Sequence, residues 1–240
     1  MSSVVSTQAG IDATFNQLPT RAVENLVGFL GDGSPLKSLL DELAGSAGAA
    51  VALALKDGII RGRAPEEIAR DIRGGLNGSL TRARGIARNE TLRAYREAAH
   101  QNYLENSGVV TGWVWTSALG PRSCAACVAL SGTFHPLEER MASHVNCRCS
   151  QIPQIEGVDP KVTNGVEWFA KQPAAVQEAI LDSPGAYEAY KSGRLSLEDF
   201  VGLKRDKRWG DSYQALSTDR ALAGEGNFPR GAVQPKKHRN

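Results

Sequence analysis

Arg122-Ser123-Cys124-Ala125-Ala126-Cys127, a spacer of sixteen residues, then His144-Val145-Asn146-Cys147-Arg148-Cys149: this stretch holds all four cysteines of the chain and dictates how its middle folds. A Cys-x2-Cys step lets two thiolates from one tight turn grasp the same ion. A second group delivered by a returning segment completes a tetrahedron with bonds of about 2.0–2.3 Å. Zinc suits such a set, because it needs no redox chemistry and accepts soft sulfur together with an imidazole nitrogen. Five donors, Cys124, Cys127, His144, Cys147 and Cys149, compete for four places. The spacing ranks Cys124 and Cys127 first, His144 and Cys149 next, and Cys147 last. Cys147 and Cys149 stand two apart, so on a strand both face one side; if His144 ligates, one of these two lies just outside the metal shell. His135, inside the spacer beside Pro136, is a weaker ligand candidate that reads first as a surface histidine. Reduced core cysteines or disulfides are the alternative, and a chain made in a reducing cytoplasm favours metal over disulfide.

Working outward, Val110 and Gly112-Trp113-Val114-Trp115-Thr116 alternate with period two and predict a strand with both indoles on one face. A second short strand is expected over Arg148 to Ile155, and Gly157-Val158-Asp159-Pro160 forms a linker. Upstream the period becomes helical. Ser34-Pro35 opens a helix that Asp57-Gly58 stops, and a shorter one runs from Ala64-Pro65-Glu66-Glu67 to Gly74-Gly75. A long third helix starts at Ser79 and ends near Asn106-Ser107-Gly108, with Leu80, Ala83, Ala87, Thr91, Ala94 and Ala98 on one narrow stripe. Downstream, helices are expected over 166–172, 173–181, 184–191 and 197–203, the last opened by the capping-box-like Ser196-Leu197-Glu198-Asp199, with a weak helix over 212–222.

The chain therefore reads as an α+β protein, predominantly helical, with a small mixed zinc-bound β module in its middle. The segments are an N-terminal extension (1–33), a helical region (34–108), the Cys/His module (109–156), a C-terminal helical extension (157–223) and a disordered basic tail (224–240). At 240 residues, with 41% hydrophobic and 22% charged residues, it has the composition of a folded domain rather than a disordered one. The opening Met1-Ser2-Ser3-Val4 lacks the pattern of a secretory signal and no apolar run reaches the roughly 18 residues of a membrane span, so cytoplasmic synthesis and no membrane partner are expected. The net charge of +2 is too small to mark a dedicated nucleic-acid binder. Any DNA contact is local: Arg82, Arg84, Arg88, Arg93 and Arg96 on the long helix, and Lys236, Lys237 and Arg239 in the tail, are the candidates, against the plainer reading of solvated charges.

Arg88-Asn89-Glu90, Gly112-Trp113-Val114-Trp115, the Cys124/Cys127 pair, Ala129-Leu130-Ser131-Gly132 and His144-x2-Cys147-Arg148-Cys149 together resemble the Mu F-like minor head protein family of tailed bacteriophages. The resemblance covers roughly Ile59 to Ile155, and more loosely Gly165 to Phe169 and Gln172 to Ile180; Asn89 stands where a threonine is common. It implies a few-copy virion protein, made in the host cytoplasm and packaged inside the head near the portal. Such a protein takes part in capsid assembly and head morphogenesis, with portal, shell or scaffold proteins as partners and packaged DNA as a non-specific one. Two other classes compete. A zinc deaminase places His-x-Glu before its Cys-x-x-Cys, whereas His100 is followed by Gln101-Asn102; catalysis is accordingly not expected. A free-standing nucleic-acid-binding zinc module needs a basic recognition helix, which the cysteine segment lacks.

Overall fold

The computed structural model of the chain describes residues 46–205 and 211–229. The N-terminal extension, the helix start at Ser34-Pro35 and the tail residues Lys236, Lys237 and Arg239 lie outside the described residues. About half of the described chain is helical and two small sheets complete it, which makes the fold α+β. It divides into two compact units, one ending at Asn106 and the other beginning at Ser107.

The first unit is helical: α1 (Ser46–Ile60), α2 (Pro65–Ile72), a 3-10 turn (Gly74–Leu76) and α3 (Leu80–Glu105). Pro65 occupies the first turn of α2, and the Glu67 carboxylate accepts from the Ala64 N–H at 3.2 Å, which satisfies a donor the helix cannot use. Ser79 caps α3 by accepting from the Arg82 N–H at 3.3 Å. Val51, Leu55 and Ile59 of α1 and Ile68 and Ile72 of α2 bury against Leu76 and the alanines 83, 87 and 94 of α3. Each large aliphatic so buried contributes roughly 1.5–3 kcal/mol of transfer free energy, and the alanines let the helices approach. The first helix does not stop at Asp57-Gly58; it runs to Ile60. Gly58 is a packing glycine, since a Cβ there would press into the Ile68 side chain, and the chain turns at Gly62, whose φ of +66° suits glycine.

The second unit comprises β1 (Val110–Thr116), α4 (Ala125–Leu130), β2 (Phe134–Pro136), β3 (Ser150–Ile155), α5 (Gly165–Ala170), α6 (Ala174–Leu181), α7 (Pro184–Lys191), a 3-10 turn (Glu198–Phe200), β4 (Val201–Lys204), β5 (Ser212–Ala215) and α8 (Thr218–Leu222). The main sheet has the order β2-β1-β3, antiparallel throughout, with Trp113 opposite His135 and Pro153, and Trp115 opposite Gln151. Both indoles are completely buried, with ring centroids 6.1 Å apart. Gly112 belongs to a bulge in β1 and admits no side chain, because a Cβ would meet the His135 carbonyl and the Phe134 ring.

Two expectations for the C-terminal part are corrected. Residues 197–203 form a 3-10 turn followed by β4, and residues 212–222 split into β5 and the short α8, so this part holds a two-stranded antiparallel sheet as well as helices. The Ser196 N–H and hydroxyl both donate to the Asp199 carboxylate, at 2.8 and 2.7 Å, closing a local turn. Val201 and Gly202 then enter the sheet, with Gly202 seated under Leu216.

Candidate metal centre

The Cys124/Cys127 pair is set by the start of α4. Cys124 is its N-cap, in extended conformation, and its sulfur accepts from the Cys127 N–H at 3.5 Å. This puts both sulfurs on the first turn, facing one way. The loop from Leu137 to Cys149 brings the other donors. Tyr213 of β5 anchors it just ahead of His144, through a 2.8 Å bond from the Tyr213 N–H to the Ala142 carbonyl and a parallel bridge to Ser143. Residues 144–147 then form a turn in which the Cys147 N–H donates to the His144 carbonyl at 3.1 Å. Asn146 takes a φ of +63° there, a left-handed conformation asparagine tolerates. Cys149 leads directly into β3.

All five donors named from the sequence converge. Cys124, Cys127 and His144 have their ligand atoms within 4.8 Å of one another, and so do Cys127, Cys147 and Cys149. The two triads share Cys127, whose sulfur lies 3.1 Å from His144 Nε2 and 3.8 Å from the Cys147 sulfur. Cys124 Sγ is 3.4 Å from the same Nε2. His144 Nδ1 donates to the Val145 carbonyl at 2.7 Å, which fixes a hydrogen on Nδ1 and leaves Nε2, facing the sulfurs, as the nitrogen a metal would take once its proton is displaced. That arrangement is the one metal-bound imidazoles adopt. Cys127, Cys147 and Cys149 are buried and Cys124 is half-buried, bordering an open groove flanked by Arg122 and Ser183.

The electrostatics show a cluster short of positive charge. The Cys124 thiol is held down at about 4, first because Cys127 donates to it, and then because the His144 ring lies beside it; burial opposes both. Cys127 is pushed far up, because its proton is held between Cys124, Cys147 and Cys149. For Cys149 a hydrogen bond with Cys127 acts downward, but Cys147 and burial outweigh it and carry the thiol up to about 12. Burial works to lower the His144 ring, and the Cys124 and Cys147 sulfurs overcome it, raising it to about 9. Four sulfurs this close cannot all ionise without a cation among them. The Trp115 indole N–H, buried with no nitrogen or oxygen partner, lies at the Cys149 sulfur and favours its thiolate. Donor chemistry, spacing and tautomer all fit a metal ion.

His135 is corrected: it is no surface histidine but a core one, 2% exposed and stacked on Trp113 with centroids 4.2 Å apart. Its ring nitrogens bond Thr133 and Glu139, away from the sulfurs.

The arginines of the first unit sort into two groups. Arg88 pairs with Glu66 at 3.2 Å, Arg61 with Asp57 at 2.7 Å, and Arg63 with Asp71 at 2.5 Å and Glu67 at 3.9 Å. Arg93 lies beside the buried Glu90, and Arg96 is half-buried with an interaction of its own. Arg82 and Arg84 are exposed and have no carboxylate partner among the described residues; the same holds for Arg70 and Arg73, which were not among the candidates named from the sequence. These four flank the Gly74–Ser79 connection between α2 and α3. Residues 72–89 contain no acid, and that gap was the signal in the sequence.

Residues 49–152 match the family described as Phage Mu protein F like protein. That stretch of the chain is similar to the Mu F-like family. The Mu F-like region contains all five converging donors, β1 and the whole of α3. It begins upstream of Ile59 and stops within β3, so the looser similarity read over Gly165 to Ile180 falls outside it. The similarity points to a phage head-related protein. No curated protein and no solved structure matches the chain. No described helix is long and apolar enough to cross a membrane.

Proposed function

We propose that this chain is a minor head protein of a tailed bacteriophage, acting in head morphogenesis from the interior of the virion head near the portal. Its Mu F-like region is stapled by one zinc ion. The observation that carries this reading is the coincidence of the family match over 49–152 with the convergence of Cys124, Cys127, His144, Cys147 and Cys149 inside it. The zinc is structural: it ties the first turn of α4 to the loop that enters β3, and its binding free energy becomes folding free energy for that segment. The role assigned is assembly and contact rather than turnover. Portal, shell or scaffold proteins are the partners proposed. Packaged DNA is a non-specific one, met through Arg70, Arg73, Arg82 and Arg84 rather than through the paired Arg88.

Mass spectrometry of purified heads, with antibody access before and after opening the head, tests the placement. The reading requires the chain at a few copies per particle and protected until the head is opened. Its absence from heads, or a copy number matching the shell protein, contradicts it.

A further inference from the structure

Between Leu130 at the end of α4 and Glu139 in the returning loop runs a chain of hydrogen bonds that contains no metal donor, buried at Thr133 and His135 and reaching solvent at Glu139. The Thr133 hydroxyl lies 2.7 Å from the Leu130 carbonyl and 2.9 Å from His135 Nε2. His135 Nδ1 lies 2.9 Å from the Glu139 carboxylate. Glu139 is held a second time, by its backbone, whose carbonyl accepts from the Trp113 indole N–H at 2.9 Å. The His135 ring itself lies flat on Trp113, at an interplanar angle of 10°. One end of this chain is the helix that presents Cys124 and Cys127; the other is the loop that presents His144, Cys147 and Cys149.

We propose that Thr133, His135 and Glu139 form a clamp that sets the position of the returning loop, with Glu139 as the positioning residue through which His144 is held in reach of the Cys124/Cys127 pair. The proposal rests on the zinc reading for its effect on the metal, but not for the clamp itself. The proton arrangement follows from the partners. A carboxylate only accepts, so Nδ1 carries the hydrogen, and in the neutral ring Nε2 shares with the Leu130 carbonyl the single hydrogen of the Thr133 hydroxyl. This is the reverse of the tautomer that free histidine prefers. A second proton on Nε2 ends that sharing, because the Thr133 oxygen then accepts it while its hydroxyl donates to Leu130 alone. Glu139 is the charged group acting on the ring, and it also acts on Tyr213, as Asp211 does. Burial keeps the ring below the ordinary histidine value, so the neutral form is the one at pH 7. A hydroxyl, imidazole and carboxylate in line are also the parts of a hydrolytic relay, but here the Thr133 hydroxyl is buried and bonded to the Leu130 carbonyl.

Three measurements on the full chain decide the matter. Ring 15N shifts of His135 at pH 7 are expected to show the Nδ1–H tautomer. Amide exchange of residues 140–149 is expected to speed up in Glu139→Ala and to stay near wild type in Glu139→Gln, whose amide oxygen still accepts from Nδ1. Zinc affinity, measured by chelator competition, is expected to fall 10–100-fold in Glu139→Ala, as for other groups that orient ligands, with stoichiometry unchanged and recovery in Glu139→Gln. An Nε2–H tautomer, or loop exchange indifferent to Glu139→Ala, overturns the clamp. If the wild-type chain takes up no zinc, the metal reading fails and the first two measurements still decide the clamp.

Discussion

Cys127 belongs to both triads of sulfur and imidazole donors, and that shared membership ranks the ligands. Loss of any one donor leaves four, but loss of Cys124, Cys147 or Cys149 breaks one group, whereas loss of Cys127 removes the sulfur that both groups need. Cys127→Ser is therefore expected to weaken zinc binding by more than the 10–100-fold typical of groups that only orient ligands. At a free zinc level about 1,000 times the wild-type dissociation constant, bound metal adds about 4.1 kcal/mol of stability. A variant weakened 100-fold sits at about 10 times its own constant and gains only about 1.4 kcal/mol. The assay is denaturant unfolding of the second unit with zinc and with chelator, variant by variant. The difference between the two conditions cancels whatever the serine costs the apo fold. Equal zinc-dependent stabilisation in Cys127→Ser and wild type refutes the shared-hub geometry, and so does a Cys149→Ser variant as damaged as Cys127→Ser.

Other outcomes follow from particular contacts. Glu90 is 5% exposed, with one carboxylate oxygen lacking a partner, and burial raises it to about 7 despite Arg93. The folded chain thus keeps this proton while the unfolded chain releases it near 4.5; stability is highest below that value and falls as pH rises to 7, by at most about 3 kcal/mol. Glu90→Gln should flatten that slope in pH-dependent melts. Gly165→Ala places a Cβ on the Val128 carbonyl and should cost roughly 1–3 kcal/mol in denaturant titration, as overpacking does; a neutral result would mean α4 and α5 are not held this closely. For DNA, four arginine contacts give a slope of log affinity against log salt near −3.6, at about −0.9 per phosphate. Arg82→Ala with Arg84→Ala should reduce its magnitude by about 1.8, at the same value per phosphate, whereas Arg88→Ala, already engaged with Glu66, should change it far less.

What was legible in the sequence was legible for physical reasons. The small-residue stripe of α3 announced a buried helix face, and those alanines are buried. Clustered cysteines announced a common target, and their sulfurs meet. What escaped was short or set by distant contacts. β2 has three residues, one of them proline, and exists because it pairs with β1. His135 looks polar in sequence but sits opposite Trp113 in register, which buries it. Ser196 and Asp199 gave a valid capping signal, yet what they cap is a single turn before a strand. β5 carries no clear alternation; its pairing with β4 and its hold on residues 142–143 depend on segments far apart in sequence.

The most direct test of the metal centre is X-ray absorption at the zinc edge on protein purified without added metal, alongside elemental analysis. One zinc per chain is expected, with a sulfur shell near 2.3 Å and a single imidazole nitrogen near 2.0 Å. Metal-free protein with four titratable thiols, or a shell of oxygen donors, would contradict the account.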